Sequence, residues 1–248
     1  MRNWKVIVDK KEYKGSVPAD WNEMDEKRFN LLVWLADGGI SAEDFFSSYF
    51  GLPKKVLAKL DMFTVYTLGS LLLSINEKVM MNKFIIPTVK LGKNVFVSPT
   101  EGLTGMTFQQ FISIDTYYTW YIQLKQKEYL VGMAVCMYLK EGEGIQDFDA
   151  EERNAIWQQA QDIVLNCLLT NWTFVKCWLA KCYPYLFAGG GSDTTPGKKV
   201  KPSNAWSEIM DSLVEDDLTR IESYKKLECM DVIRILNRRI KEQREMKK

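Results

Sequence analysis

The chain has 248 residues, 46% hydrophobic and 26% charged, with a formal net charge of +1. That is enough apolar material for one large core or two modest ones, which excludes wholesale disorder. The charge balance is unlike that of a protein built to neutralise many phosphates, so a nucleic-acid partner is not expected.

The sequence contains no histidine. Ser-His-Asp and Cys-His catalysis, an HExxH helix and a Cys/His zinc site are thereby excluded, and no catalytic, metal or cofactor residue is assigned. Five cysteines at irregular spacings, without a CxxC pair, point to a reduced, intracellular compartment. The apolar runs 63–75 and 129–139 fall short of the roughly 18–20 residues a membrane span requires, and no membrane partner is expected.

In chain order, Trp4–Val8 and Glu12–Lys14 flank Asp9-Lys10-Lys11 and predict a small hairpin, with Trp4, Tyr13 and either Ile7 or Val8 turned inward. Asp25 is placed to cap a helix whose inner face is Phe29, Leu32, Val33 and Ala36, stopped by Gly38-Gly39. Ser41 caps a short helix from Ala42 to Tyr49, and Pro53 opens another through Leu60. Thr64–Asn76 has almost no polar face and predicts a buried helix. Phe84-Ile85-Ile86 and Val95-Phe96-Val97, around Gly92-Lys93-Asn94, predict a second hairpin whose first strand Pro87 confines to an edge or ends early.

Thr107–Leu139 is a long proline-free stretch dense in aromatics, read as one central helix. At about 100° per residue, Phe111, Ile114, Tyr117, Tyr118, Tyr121 and Ile122 share an arc, opposite Thr116, Thr119, Gln123 and Lys127. Asp149 followed by Glu152 resembles a capping box for a helix running to about Asn171; Trp172–Tyr183 then forms a further helix ended near Pro184. Residues 188–203 have the composition of a linker. Beyond it, Ala205–Val214, Leu218–Tyr224 and Leu227–Lys247 predict helices, the last with Cys229, Ile233, Leu236 and Ile240 on one face.

The expected fold is mainly α: a helical body over residues 1–187 around the central helix, with one or two small β-hairpins. A linker, 188–203, then leads to a C-terminal helical appendage, 204–248.

Few side chains stand out chemically. Asp115, at the edge of the aromatic arc, is either a catalytic carboxylate in a low-dielectric site or a structural group bonded to a tyrosine hydroxyl or a neighbouring backbone group, and the structural role is preferred. Trp120 falls among polar residues and either packs under a second layer or faces a partner. Arg234, Arg238 and Lys241 share a face of the last helix, diluted by Glu242 and Glu245, and would suit an acidic partner helix better than nucleic acid. Gly191–Lys199 echoes a phosphate loop, but one residue too many separates its glycines, and Lys199 stands where a Ser or Thr belongs. Glu215-Asp216-Asp217 lacks calcium-loop spacing.

One stretch carries a family resemblance. Val17-Pro18-Ala19-Asp20-Trp21-Asn22-Glu23-Met24-Asp25, between a hairpin and a helix, resembles the start of a group of phage and prophage proteins with a P-x-x-W-N-E-L-T pattern. Met24-Asp25 stands where Leu-Thr is usual. An aromatic helix, Tyr183–Phe187 as Tyr-Pro-Tyr-Leu-Phe, a polar linker and a helical tail opening on Trp206 follow in a similar order. The resemblance implies a non-enzymatic tail-assembly factor similar to tail assembly chaperones, acting in the host cytoplasm on the tape-measure protein or another tail protein. A structural virion component, such as a connector or tail-completion subunit, is the alternative, and an enzyme using a buried carboxylate a third. The partner surface would include Trp120, Arg234, Arg238 and Lys241.

Overall fold

In the computed structural model, residues 1–76, 78–187, 206, 209 and 220–246 are described. The fold is mainly α, 58% helix and 12% strand, with two small antiparallel two-stranded sheets. Strands β1 (Arg2–Val8) and β2 (Lys11–Val17) pair with Val8 opposite Lys11 and Arg2 opposite Val17. Asp9 and Lys10 between them both have positive φ, 51° and 63°, the backbone that a two-residue type I′ connection requires. Trp4, Val6 and Val8 face the core and Ile7 faces solvent, so the period-two alternation selects Val8 over Ile7.

Helix α1 (Glu26–Ala36) begins where expected, with the Asp25 carboxylate accepting from the Arg28 backbone N–H at 2.9 Å. The Arg28 guanidinium donates to the same carboxylate and to the Ser16 carbonyl, which ties the hairpin to the helix. Ser41 likewise caps α2 (Ala42–Phe50), and α3 (Lys54–Leu57) follows Pro53. Helix α4 spans Met62–Gly69, ending well short of Asn76, with Asp61 as its cap. The expected burial of Thr64–Asn76 is found only in part: Leu68 is buried and Leu71, Leu72, Leu73 and Ile75 are half-buried against the core, while Tyr66 is exposed, as are Met62 and Phe63 ahead of that stretch.

The second hairpin lies wholly after Pro87, with β3 (Thr88–Leu91) against β4 (Asn94–Val97). Phe84, Ile85 and Ile86 are buried but not in a strand. Asn171 provides the reason: its side-chain oxygen accepts from the Ile85 N–H at 2.6 Å and its amide donates to the Lys83 carbonyl at 3.1 Å. The Tyr138 hydroxyl donates to the Ile86 carbonyl, so three backbone groups of this segment are satisfied by side chains instead of a sheet partner.

The expected single central helix is two. Helices α5 (Phe108–Leu124) and α6 (Lys127–Met137) meet at Lys125, whose φ of 55° reverses the chain. A straight helix over all of 107–139 would run about 50 Å at 1.5 Å per residue, too long for this body to cover. The polar run Gln123–Glu128 instead sits at the turn, and α6 folds back along α5. Gly132 permits the close approach, because a Cβ there would lie 2.7 Å from the Tyr117 ring.

The expected junction near Asn171 is also displaced. Helix α7 (Ala150–Trp157), capped by Asp149, ends before α8 (Asp162–Cys182), which runs unbroken through Asn171 and Trp172. By length and hydropathy alone α8 could cross a membrane. Here it is a core helix: Leu165, Leu168, Trp172, Val175 and Leu179 are fully buried, with α1 packed alongside. Short α9 (Pro184–Phe187) follows.

At the C-terminal end, α10 (Ile221–Lys225) leads to α11 (Cys229–Glu245). Cys229, Val232, Ile233 and Leu236 are buried in the same hydrophobic cluster as the body, and α11 packs on α5 and α9. Phe108 N–H donates to the Leu227 carbonyl at 2.8 Å and Cys229 N–H to the Met106 carbonyl at 2.9 Å, a single antiparallel bridge at the start of α5. The phosphate-loop echo and the acidic cluster 215–217 lie outside the described residues.

Candidate functional site

Asp115 is 4% exposed on α5, and its carboxylate is fully engaged. Oδ1 accepts from the Lys176 ammonium on α8 at 2.5 Å, and Oδ2 from the Trp206 indole N–H at 2.9 Å. Neither a tyrosine hydroxyl nor a backbone group, the partners expected from sequence, takes that place. Lys176 also lies 5.1 Å from the centre of the Tyr118 ring, so its charge is shared between carboxylate and aromatic face. Trp206 meets the rings of Phe108 and Phe111 edge-on at 5.8 and 5.3 Å. Phe187 of α9 touches Phe111 from another side, with 6.5 Å between ring centres.

The aromatic arc of α5 is core only at its start. Phe111 and Ile114 are buried, Tyr117, Tyr118 and Tyr121 are half-buried, and Ile122 is exposed. Trp120 is half-buried and packs edge-on against Tyr117 and Tyr129, at 5.6 and 5.5 Å. The neighbouring helix α6 supplies Tyr129, so Trp120 sits in the seam of the α5–α6 hairpin.

Arg234, Arg238 and Lys241 lie on the exposed side of α11. Arg234 pairs with Asp231 at 2.8 Å, and Arg238 and Lys241 stand 3.9 and 3.8 Å from Glu242 and Glu245. Their charges are largely answered within the helix, and exposed i,i+4 pairs of this kind contribute little. Lys241 also lies near the Tyr185 ring. The structure brings none of the three to Trp120 or Asp115 by a hydrogen bond or ion pair.

Two further places have the form of a site. A cleft of about 430 Å³ opens between α5, α6 and the segment 145–154, with Glu222, Lys225 and Lys226 at its rim. Its one thiol, Cys136, is pushed up to about 12 by burial, so it supplies no thiolate at neutral pH.

The other is the apolar face around α4. Met62, Phe63 and Tyr66 are 88%, 79% and 76% exposed. Beside them Phe46, Leu57, Ala58 and Val65 line a groove of about 410 Å³ whose wall is mainly apolar. Ala42 and Glu43 complete the lining, so the wall is apolar apart from one carboxylate. Sequence reasoning missed this surface because a continuous apolar run reads as buried. The usable signal was Asp61, an N-cap that starts the helix at Met62, ahead of the expected Thr64.

No protein-family model matches the chain, and no curated protein or solved structure was found to be similar to it.

Proposed function

We propose that the chain is a non-enzymatic assembly factor of a phage tail, binding an apolar helical segment of the tape-measure protein or another tail protein. The observation that carries this reading is the exposed face of α4. Three large side chains, Met62, Phe63 and Tyr66, lie more than three-quarters exposed beside a groove lined by Phe46, Leu57 and Val65. Contiguous apolar surface of this kind costs solubility and marks a place where another surface docks. A groove between short helices, mainly apolar with Glu43 as its one charged lining residue, suits the apolar face of an amphipathic helix. The phage class rests on the resemblance of Val17–Asp25 and of the order of elements after it.

The test is co-expression with the cognate tape-measure protein, followed by affinity purification. The wild-type chain is expected to carry that protein with it. The variant Met62→Ser/Phe63→Ser/Tyr66→Ser should weaken the complex by roughly 30-fold or more, as loss of central aromatic anchors does. Its melting temperature should stay near wild type, because these side chains contribute little to the core. Failure of the wild-type pair to co-purify overturns the reading. Recovery of the chain in stoichiometric amounts from purified virions, measured by mass spectrometry, would support a structural subunit instead.

A further inference from the structure

The socket that holds Trp206 has the construction of a recognition site. Its walls stand on two long helices: Phe108, Phe111 and Asp115 on α5, and Lys176 on α8. Its occupant comes from elsewhere in the chain, separated from α9 by residues 188–205. Trp206 is itself only half-buried, as is Ile209 three residues on, and both pack against the hydrophobic core.

The polar part of the socket does not depend on its occupant. Asp115 has a side-chain exposure of 6% and would be costly to bury as a lone charge, but Lys176, which stands on α8 and not on the occupant's segment, answers that charge at 2.5 Å. The Tyr118 ring holds Lys176 from the other side. The second carboxylate oxygen is then left as an acceptor at the mouth of an aromatic slot. A buried indole N–H needs such an acceptor, and a charged one gives the stronger bond. Ring walls met edge-on and an anion at the N–H together specify tryptophan over phenylalanine or leucine.

We propose that this socket is a binding site for helical segments presenting a tryptophan with an aliphatic residue three positions later, filled in the isolated chain by Trp206 and Ile209. A partner segment with the same pattern exchanges with the chain's own. The site is independent of the α4 surface, and its test does not involve the tail protein.

The experiment uses the full-length Trp206→Ala chain and a labelled peptide covering residues 203–212, followed by fluorescence anisotropy. The peptide is expected to bind this variant saturably. Binding to the wild-type chain should be weaker by about tenfold or more, because the tethered segment competes at a high effective concentration. A peptide whose indole nitrogen is methylated keeps the ring but loses the donor, and should bind the variant about tenfold less tightly. Absence of saturable binding to a folded variant overturns the proposal, as does equal binding to wild type and variant. Loss of a cooperative melt in Trp206→Ala overturns it too, since the indole would then be part of the core. Equal affinity for the methylated peptide removes Asp115 from the recognition.

Discussion

At the scale of single residues, the informative positions are buried polar groups with distant partners. Asn171 is fully buried and supplies both a donor and an acceptor to the segment 83–85. Asn171→Ala leaves the Ile85 N–H without an acceptor, and should cost about 1–3 kcal/mol in a urea melt. A loss near zero would show that another group takes over the bond. Tyr138 works similarly, donating to the Ile86 carbonyl at 2.5 Å, and burial raises its hydroxyl well above the ordinary phenol range. Arg153 lies between the rings of Phe96 and Phe148 and donates to both Glu143 oxygens at 2.6 and 2.7 Å. Burial alone would raise the Glu143 carboxyl, but the Arg153 guanidinium and the Lys140 N–H outweigh it and hold it below the usual range. None of these pairings is legible in sequence, because the partners are set by tertiary approach across as many as 88 positions. Asp115 was legible as an unusual carboxylate, but its partners, Lys176 and Trp206, were not.

Element by element, what the sequence discloses is local chemistry. Asp25, Ser41 and Asp149 each cap the helix they were expected to cap, since an N-cap needs only its own side chain and the next turn. Helix ends set by packing are not disclosed. The α5–α6 reversal falls on Lys125, which carries none of the glycine signal of a chain break, and the α7–α8 junction falls on glutamines. The hairpin turn is a middle case: its position is readable, its type is not, because Asp9-Lys10 stands where Asn-Gly would be usual. Both residues bear a left-handed backbone that L side chains resist. Asp9 has compensation in its ion pair with Lys59. Lys10→Gly is therefore expected to stabilise the chain by about 0.5–1 kcal/mol, relief of the turn outweighing the added freedom of the unfolded state. Equilibrium denaturation checks the sign, and a destabilised variant would show that the Lys10 side chain holds a contact.

For the whole molecule, burial of titratable groups sets the alkaline limit. Cys136, Cys167 and Cys229 are each pushed from an ordinary 9.0 up to about 12 by burial. A group whose folded pKa is raised contributes its full stability below the unfolded value and loses it as pH climbs towards the folded one. Stability should therefore hold up to about pH 9 and then fall steadily towards pH 12, with the buried Tyr138 acting in the same direction. Urea midpoints that stay constant from about pH 8 to 11 would contradict this. The mainly helical class was readable from composition and periodicity. The integration of the last helix was not: a linker composition suggests separation, whereas Cys229, Val232, Ile233 and Leu236 enter the common core.

The bridge between 106–108 and 227–229 also fixes an order of events. A ribosome delivers the start of α5 before the residues that cover it, at roughly 5–20 residues per second, so several seconds pass between the two. During that interval Phe108 and Phe111 are out of the ribosome while their C-terminal covering is not. The chain thus passes through a nascent state in which the start of α5 lacks the covering that residues 227–229 later supply.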